Sequence, residues 1–212
     1  MCKPYRTILL LSANQFTLTK QLSPRSIIRS IRANQLNQLD EYLLNQSDIG
    51  KEFDIQKTLE SIIDSQYITK YKKNVQECIH AFNNALYYPS AVGVIAIADG
   101  IISNISNDQQ PSFRTRIDKI QEAALRTLQS INTERKSNDI DFLKQNIAFI
   151  SFCASQYYFF GHSPFTNSEP LHINRHWIAH GRSSRCVSKL DCIKLFRLLN
   201  TLLTINELLS TE

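Results

Sequence analysis

Residues 111–131, PSFRTRIDKIQEAALRTLQSI, carry the most regular hydrophobic pattern of the chain. The apolar side chains recur at steps of three, four, four and three residues: Ile117, Ile120, Ala124, Leu128 and Ile131. This spacing places all five on one face of an α-helix, because a helix turns once every 3.6 residues. Pro111 is typical of the opening of such a helix. The stretch therefore predicts an amphipathic helix with one face packed onto a core.

The residues before this stretch predict further helices. Ser23 followed by Pro24 favours a helix start, and the apolar spacing behind it extends the helix over 23–46. Weaker periodicity predicts helices over 54–65 and 68–87, the second stopped by Pro89. Residues 91–105 are apolar on nearly all faces, which is typical of a central buried helix.

The C-terminal part of the sequence is equally helical in pattern. Residues 139–160 are rich in aromatic side chains and predict a long, largely buried helix, and 161–167 predict a loop. A short helix is expected over 170–180, ended by Gly181. Ser188 and Asp191 form a capping-box pattern that opens a last helix running toward Leu209. We therefore predict a single all-α domain over 1–212, an antiparallel bundle of roughly seven helices, in which 1–50 could form an appended N-terminal hairpin.

Composition excludes several protein classes. The chain has 212 residues, of which 42% are hydrophobic, with only five Gly and six Pro, which excludes collagen-like, low-complexity and turn-dense β-sandwich chains. Its five Cys include no CxxC pair, which argues against a disulfide framework or a zinc ribbon and favours the cytoplasm. The longest apolar stretches fall short of the roughly 20 residues that a bilayer requires, so no membrane association is expected.

Basic residues concentrate near the end of the sequence. Residues 172–197 hold six Lys and Arg against the single acid Asp191, so this segment accounts for the whole net charge of +5. Such a segment suggests an anionic partner such as nucleic acid. A solvated charged face would have the same composition, and charge alone does not decide between the two.

Histidines gather in the same region. Four of the five histidines lie between His162 and His180, and residues 171–182 read LHINRHWIAHGR. Arg175 offers a permanent cation suited to phosphate, and His180 offers a group that accepts and donates protons near neutral pH. These two groups suffice for RNA cleavage by internal attack of a 2′-OH, which needs no metal because the nucleophile is part of the substrate. The Arg-x4-His spacing alone is also common by chance.

The residues around this pair resemble the signature of HEPN-domain proteins, which is an Arg, a polar residue, three further residues and a His. In this chain Arg175, His176 and His180 take those positions, with Gly181 and the Leu-rich segment 190–203 also similar to the family. The resemblance covers residues 172–203. It implies an all-α fold and a metal-independent endoribonuclease without a cofactor, acting as a homodimer in which two motifs face one cleft. Many members belong to toxin–antitoxin or antiviral defence systems, so an antitoxin or sensor partner is also implied.

The mechanism that follows gives the main residues separate roles. His180 is expected to act as general base and, through its symmetry mate, to protonate the 5′-oxygen, while Arg175 stabilises the pentavalent phosphate. The predicted products carry a 2′,3′-cyclic phosphate and a 5′-OH.

Neighbouring residues are candidates for support. Asn174 is expected to cap the helix or to hydrogen-bond Arg175, and His176 to contact phosphate, to orient the cleft or to be a plain surface histidine. Arg182, Arg185 and Lys189 are candidate contacts to RNA phosphates or parts of an ordinary solvated loop. For Trp177 we expect a core position. Asp99 lies inside an apolar helix. It is either a buried, paired acid or a residue on the solvent-facing edge of that helix, and we assign it no catalytic role.

Two other functions fit the same sequence. His172, His176 and His180 are spaced i, i+4 and i+8, so on one continuous helix they would form a row able to bind Zn²⁺ or Ni²⁺. Alternatively, the bundle is a non-catalytic module that binds RNA, a nucleotide or a protein partner. Our prediction is the ribonuclease, with no metal site.

Overall fold

The residues that the structure describes are mostly helical, as the sequence predicts. The structure is a computed structural model that describes residues 55–106, 113–134, 165–166 and 168–210, with the single positions Phe149, Phe152 and Phe159. Its elements are α1 (Ile55–Asp64), a 3-10 helix (Gln66–Tyr71), α2 (Lys72–Asn83), α3 (Tyr87–Ile105), α4 (Phe113–Glu134), α5 (Arg175–Ala179) and α6 (Lys189–Leu209). These residues are 79% helical and contain no strand, so the all-α class is confirmed for them.

The helix at the centre of the described bundle is α6. Every residue from 191 to 205 is buried, and α6 packs against α1, the 3-10 helix, α3 and α4. Two of its buried polar positions are satisfied within the helix, because Thr201 and Thr204 donate their hydroxyls to carbonyls one turn earlier, at 3.0 and 3.1 Å. The predicted capping box is present, since Ser188 Oγ accepts from the Asp191 amide and the Asp191 carboxylate accepts from the Ser188 amide.

The apolar helix α3 is less enclosed than its sequence suggests. It packs on α2, α4, α5 and α6, yet Tyr88 and Val92 are exposed. The central position that the sequence predicts for 91–105 therefore belongs to α6. Among the described helices, α3 is also the one long and apolar enough to meet a length-and-composition criterion for a membrane span. Its buried side, which includes Val94, Ala98 and Ile102, is part of the bundle core.

The connection between α2 and α3 corrects one prediction. Pro89 does not stop a helix over 68–87, because α2 already ends at Asn83 and Pro89 lies in the first turn of α3. The first turn tolerates proline, since its amides have no partner within the helix. The chain leaves α2 through Ala85, whose φ of 58° is left-handed, and hydrogen bonds from Ala85 to Phe82 (3.1 Å) and from Leu86 to Ala81 (2.8 Å) complete a Schellman motif.

Other helix predictions are confirmed where the structure describes them. The helix predicted over 54–65 is α1, and the stripe of α4 is buried at Ile117, Ile120 and Ala124. Phe149, Phe152 and Phe159 are helical, and the last two are buried, as expected for 139–160. The side chains of Leu128 and Ile131, the start at Pro111, the predicted helix over 23–46, the hairpin over 1–50 and most of the loop over 161–167 lie outside the described residues.

A close helix contact joins α2 to α3. Gly93 of α3 faces the side chain of Cys78 on α2, and a Cβ built on Gly93 would overlap Cys78 Sγ. The Cβ atom of Cys78 would remain 3.9 Å from it, which is an ordinary van der Waals distance. The two helices can therefore approach this closely only because position 93 lacks a side chain.

We expect Gly93→Ala to destabilise the protein by about 1–3 kcal/mol, as overpacking does, despite the better helix propensity of alanine. In a Cys78→Ala background the same substitution should be neutral or stabilising by up to about 1 kcal/mol. Urea unfolding of the four proteins measures the coupling. An equal effect of Gly93→Ala in both backgrounds would contradict the described contact.

Candidate functional site

The segment that carries Arg175 and His180 is a helix of five residues, shorter than the predicted 170–180. It begins at Arg175, because Asn174 is extended (φ −130°, ψ 126°) and its side chain accepts hydrogen bonds from the amides of His176 (3.0 Å) and Trp177 (3.4 Å). The capping role expected for Asn174 is confirmed. Residues 168–174 precede the helix as irregular chain, so the predicted start at 170 is wrong.

The other end of α5 fixes His180. Gly181 has a φ of 63°, the left-handed conformation that glycine adopts without strain, and its amide donates to Ile178 (3.1 Å). The amide of Arg182 donates to Trp177 (2.9 Å), which completes a second Schellman motif. His180 is thus the C-cap residue, as the predicted stop at Gly181 implies. Trp177 and Ile178 are buried and anchor the helix, which confirms the core position expected for Trp177.

Arg175 binds the acid of α3. Its Nη2 atom lies 2.7 Å from Asp99 Oδ2, and Asp99 Oδ1 lies 3.5 Å from Nη2 of Arg116 on α4. Arg116 also donates to the hydroxyl of Ser103. Asp99 is therefore a paired acid, as the first reading predicts, but it is 28% exposed rather than buried, as the second reading predicts. Two guanidiniums around one carboxylate leave one excess positive charge among these three side chains.

This ion-pair cluster reaches solvent. The side chains of Arg175, Asp99 and Arg116 keep 22%, 28% and 13% of their surface exposed. Because the Arg175 side chain is partly exposed, its position is compatible with binding an anion as well. The arrangement holds Arg175 in a defined position at the protein surface.

His176 and His180 lie in a second cluster, made of rings. Their imidazole centroids are 4.7 Å apart with planes at 68°. Phe165 stacks flat on His176, with centroids 4.6 Å apart and planes at 11°, and lies 5.7 Å from the ring of His180. The guanidinium carbon of Arg182 lies 5.2 Å from the centre of the Phe165 ring. His180 and Arg182 are exposed, and His176 is partly buried.

The structure thus assigns the two predicted catalytic residues to adjacent clusters. Arg175 extends to Asp99 on α3, whereas the ring contacts of His180 are with His176 and Phe165. The clusters are joined through consecutive residues, because Arg175 and His176 are neighbours in the chain. Their Cα atoms are therefore only about 3.8 Å apart. Both clusters are open to solvent beside one turn of helix.

The predicted phosphate contacts differ in their surroundings. Arg182 and Lys189 are exposed, whereas Nη2 of Arg185 lies 3.0 and 3.2 Å from the two carboxylate oxygens of Asp191. Glu169 holds the loop between α5 and α6, since its carboxylate accepts from the Ser183 hydroxyl and from the Ser184 amide and hydroxyl. Desolvation raises the pKa of Glu169, but these hydrogen bonds outweigh it and the net pKa is lowered.

The basic segment 172–197 is only in part a surface. Lys194 and Arg197 are 4% and 2% exposed within α6, and burial lowers the pKa of the Arg197 guanidinium. The interpretation of the whole segment as a basic face is therefore wrong for these two residues. The apolar periodicity of the sequence did not reveal that these two residues are buried, because α6 is enclosed on all sides and has no exposed face.

The row of histidines proposed for a metal is interrupted. His172 lies in a bend before α5, whereas His176 lies within the helix and His180 at its C-cap. Among the residues that the structure describes, no three His, Cys, Asp or Glu side chains form a group able to hold a metal ion. Burial raises the pKa of Cys192 to about 12, which makes this thiol a poor nucleophile, and Cys186 is exposed.

The sequence analysis did not place Arg116 or Phe165 in these clusters, and it did not name the partner of Asp99. Asp99 is the single charged residue of α3, and that isolation was the signal for a specific partner. Arg116 lies on the helix with the clearest apolar stripe, and nothing in the pattern links it to Asp99. Phe165 lies in a predicted loop between two histidines of the sequence, where no periodicity assigns a contact.

Comparison with known proteins adds no family to this description, since no protein-family model, no curated protein and no solved structure matches the chain. The residues and geometry of the two clusters are therefore the basis for proposing a function.

Removal of the Asn174 cap tests the construction of α5. We expect Asn174→Ala to lower the free energy of unfolding by about 1 kcal/mol, and Asn174→Ser to stay within a few tenths of the wild type. Amide hydrogen exchange at His176 and Trp177, the two donors to Asn174, should accelerate in the alanine variant alone. Equal exchange in both variants would show that this side chain does not cap the helix.

Proposed function

We propose that this chain is a HEPN-like, metal-independent endoribonuclease whose site consists of Arg175, His176 and His180. The observation that supports the proposal best is the geometry of one helical turn. It joins a pair of imidazoles, of which His180 is exposed and His176 partly buried, to a guanidinium held by the Asp99 carboxylate. A cation for phosphate and a proton acceptor, both fixed by the fold and both open to solvent, are the groups that internal cleavage of RNA requires.

The reaction follows from the chemistry of these groups. His180, as the exposed imidazole, removes the proton of a ribose 2′-OH, whose oxygen attacks the adjacent phosphorus. The bond from phosphorus to the 5′-oxygen breaks, and a second imidazole protonates that oxygen. Arg175 stabilises the additional negative charge of the pentavalent phosphate. The products are a 2′,3′-cyclic phosphate and a 5′-OH, and no water molecule enters the step.

RNA is held by the exposed basic residues around this turn. Arg182 and Lys189 contact phosphates of the strand in this proposal, and Arg185 supports them from its ion pair with Asp191. A homodimer brings two such surfaces into one cleft, as the HEPN resemblance implies. In the cytoplasm, an antitoxin or sensor partner would restrain such an activity within a defence system.

Cleavage of a mixed RNA in EDTA tests the proposal. We expect the wild type to cut it, and Arg175→Ala and His180→Ala to lower the rate at least about 100-fold, as the loss of a general base or of a charge-stabilising donor does. Matched controls are Arg126→Ala on α4 and His80→Ala on α2, which remove the same residue types at exposed positions outside both clusters. They should cut as the wild type does.

The controls also define the contrary result. Cleavage that persists in both Arg175→Ala and His180→Ala, with the fold intact, would show that the active site does not lie in this region. Cleavage that occurs only with added metal would contradict the mechanism.

Asp99 offers a test of how Arg175 is positioned. Asp99→Asn removes one negative charge beside two guanidiniums, so we expect tighter RNA binding together with a kcat lowered about 10- to 100-fold, because Arg175 is displaced. Stability should change by less than about 1 kcal/mol, since the pair is partly exposed. Asp99→Glu should recover part of kcat. A parallel loss of binding and kcat would argue for a structural role of Asp99.

A second candidate is an RNA-binding module without catalysis. The stack of Arg182, Phe165 and His176 favours it, because exposed rings and cations are also what single-stranded RNA stacks on. Binding that survives in His180→Ala, without cleavage by the wild type, would support the module and overturn the nuclease.

A further inference from the structure

The two imidazoles of the ring cluster are close enough to act together. Their centroids lie 4.7 Å apart, and each ring also contacts Phe165, which fixes their mutual orientation. The backbone adds to this rigidity, since His176 is inside α5 and His180 is held at its C-cap by the turn at Gly181. Two proton-transfer groups are therefore preorganised within a single chain.

The pair lies among positively charged side chains. The guanidinium of Arg182 contacts the same Phe165 ring, and Arg175 directly precedes His176 in the chain. Two adjacent imidazoles supply the one acid and the one base that the reaction requires.

The surroundings of the rings distinguish their roles. His176 lies flat on the face of Phe165, and the electron-rich face of an aromatic ring attracts a cation. His180 is the more exposed of the two and meets Phe165 at 78°. The contact with the Phe165 face thus suits His176 to the role of proton donor, and its exposure suits His180 to the role of proton acceptor.

From this geometry we infer that His176 is the general acid of the cleavage, acting in the same chain as the base His180. The inference rests on the proposed ribonuclease function and replaces the symmetry-related His180 as the source of the second proton. His180 takes the 2′-OH proton as the new bond from the 2′-oxygen to phosphorus forms. His176 gives its proton to the 5′-oxygen as the bond from that oxygen to phosphorus breaks. The protonated His180 then returns a proton to His176, directly or through water, and the pair is restored.

Phe165 is a positioning residue in this scheme. Its ring contacts both imidazoles and the guanidinium of Arg182, so it sets their spacing without touching the reacting atoms.

A substrate that needs no acid tests the role of His176. The probe is an RNA oligonucleotide with one cleavable linkage, in which the 5′-oxygen of the leaving nucleoside is replaced by sulfur. A thiolate leaves without protonation, so loss of the acid no longer slows the reaction. On the all-oxygen RNA we expect His176→Ala and His176→Gln to lower kcat about 100-fold or more. On the sulfur-containing RNA both should cut within about tenfold of the wild type, whereas His180→Ala should stay slow on both substrates.

Each other outcome overturns the inference. An unchanged kcat in the His176 variants excludes His176 as the acid. An equal loss on both substrates assigns it a structural or binding role, and rescue of His180→Ala instead reverses the two assignments. If the wild type cuts neither RNA in EDTA, the proposed ribonuclease function itself is wrong. This result differs from those above, in which the wild type cuts RNA and only the assignment of His176 as the acid fails.

Mixing variants tests whether the pair acts within one chain. Equal amounts of His176→Ala and His180→Ala chains, unfolded and refolded together, should regain no activity on all-oxygen RNA, because no chain holds both rings. Recovery of about a quarter or more of the wild-type rate would show that the acid comes from the partner chain. The same mixture with Arg126→Ala in place of one variant controls for refolding.

Discussion

A helix that is buried on every side dictates the arrangement of its neighbours. α6 has no solvent-facing stripe between residues 191 and 205, so α1, α3 and α4 must enclose it. Two of its polar residues, Thr201 and Thr204, are accommodated by hydrogen bonds to its own backbone. Because α3 is held against α6, Asp99 occupies a fixed position at the surface, and α5 packs beside it.

The site depends on this enclosure, because five residues of helix are not stable alone. Helices of fewer than about 12 residues are marginal in water, so α5 needs support from outside. It receives three kinds of support: the Asn174 cap, the turn at Gly181 and the burial of Trp177 and Ile178. The ion pair of Arg175 with Asp99 adds an anchor that is also part of the proposed chemistry. The short segment around α5 therefore contains both the contacts that stabilise this helix and the residues proposed for catalysis.

Much of this was predictable from local chemistry. The caps at Asn174 and Ser188 and the turn at Gly181 follow from residue types that satisfy helix ends, and the structure contains all three. Predictions failed where tertiary contacts decide. Pro89 suits the end of one helix and the start of another equally, and Lys194 and Arg197 look like surface residues until α6 is seen to be enclosed. The pairing of Asp99 with Arg175 joins residues 76 positions apart, which no local pattern reports.

The central claim is that this turn of helix cuts RNA through the substrate's own 2′-oxygen, and one modified substrate examines it directly. The wild type is incubated in EDTA with an RNA oligonucleotide, and with the same oligonucleotide carrying a single 2′-deoxynucleotide at the 5′ side of a linkage that is cut. Mass spectrometry of the fragments then reports the ends formed at each position. The account predicts 2′,3′-cyclic phosphate and 5′-OH ends throughout the RNA and no cleavage at the deoxy-substituted linkage. Cleavage at that linkage, or 5′-phosphate ends anywhere, would require an activated water molecule and would contradict it.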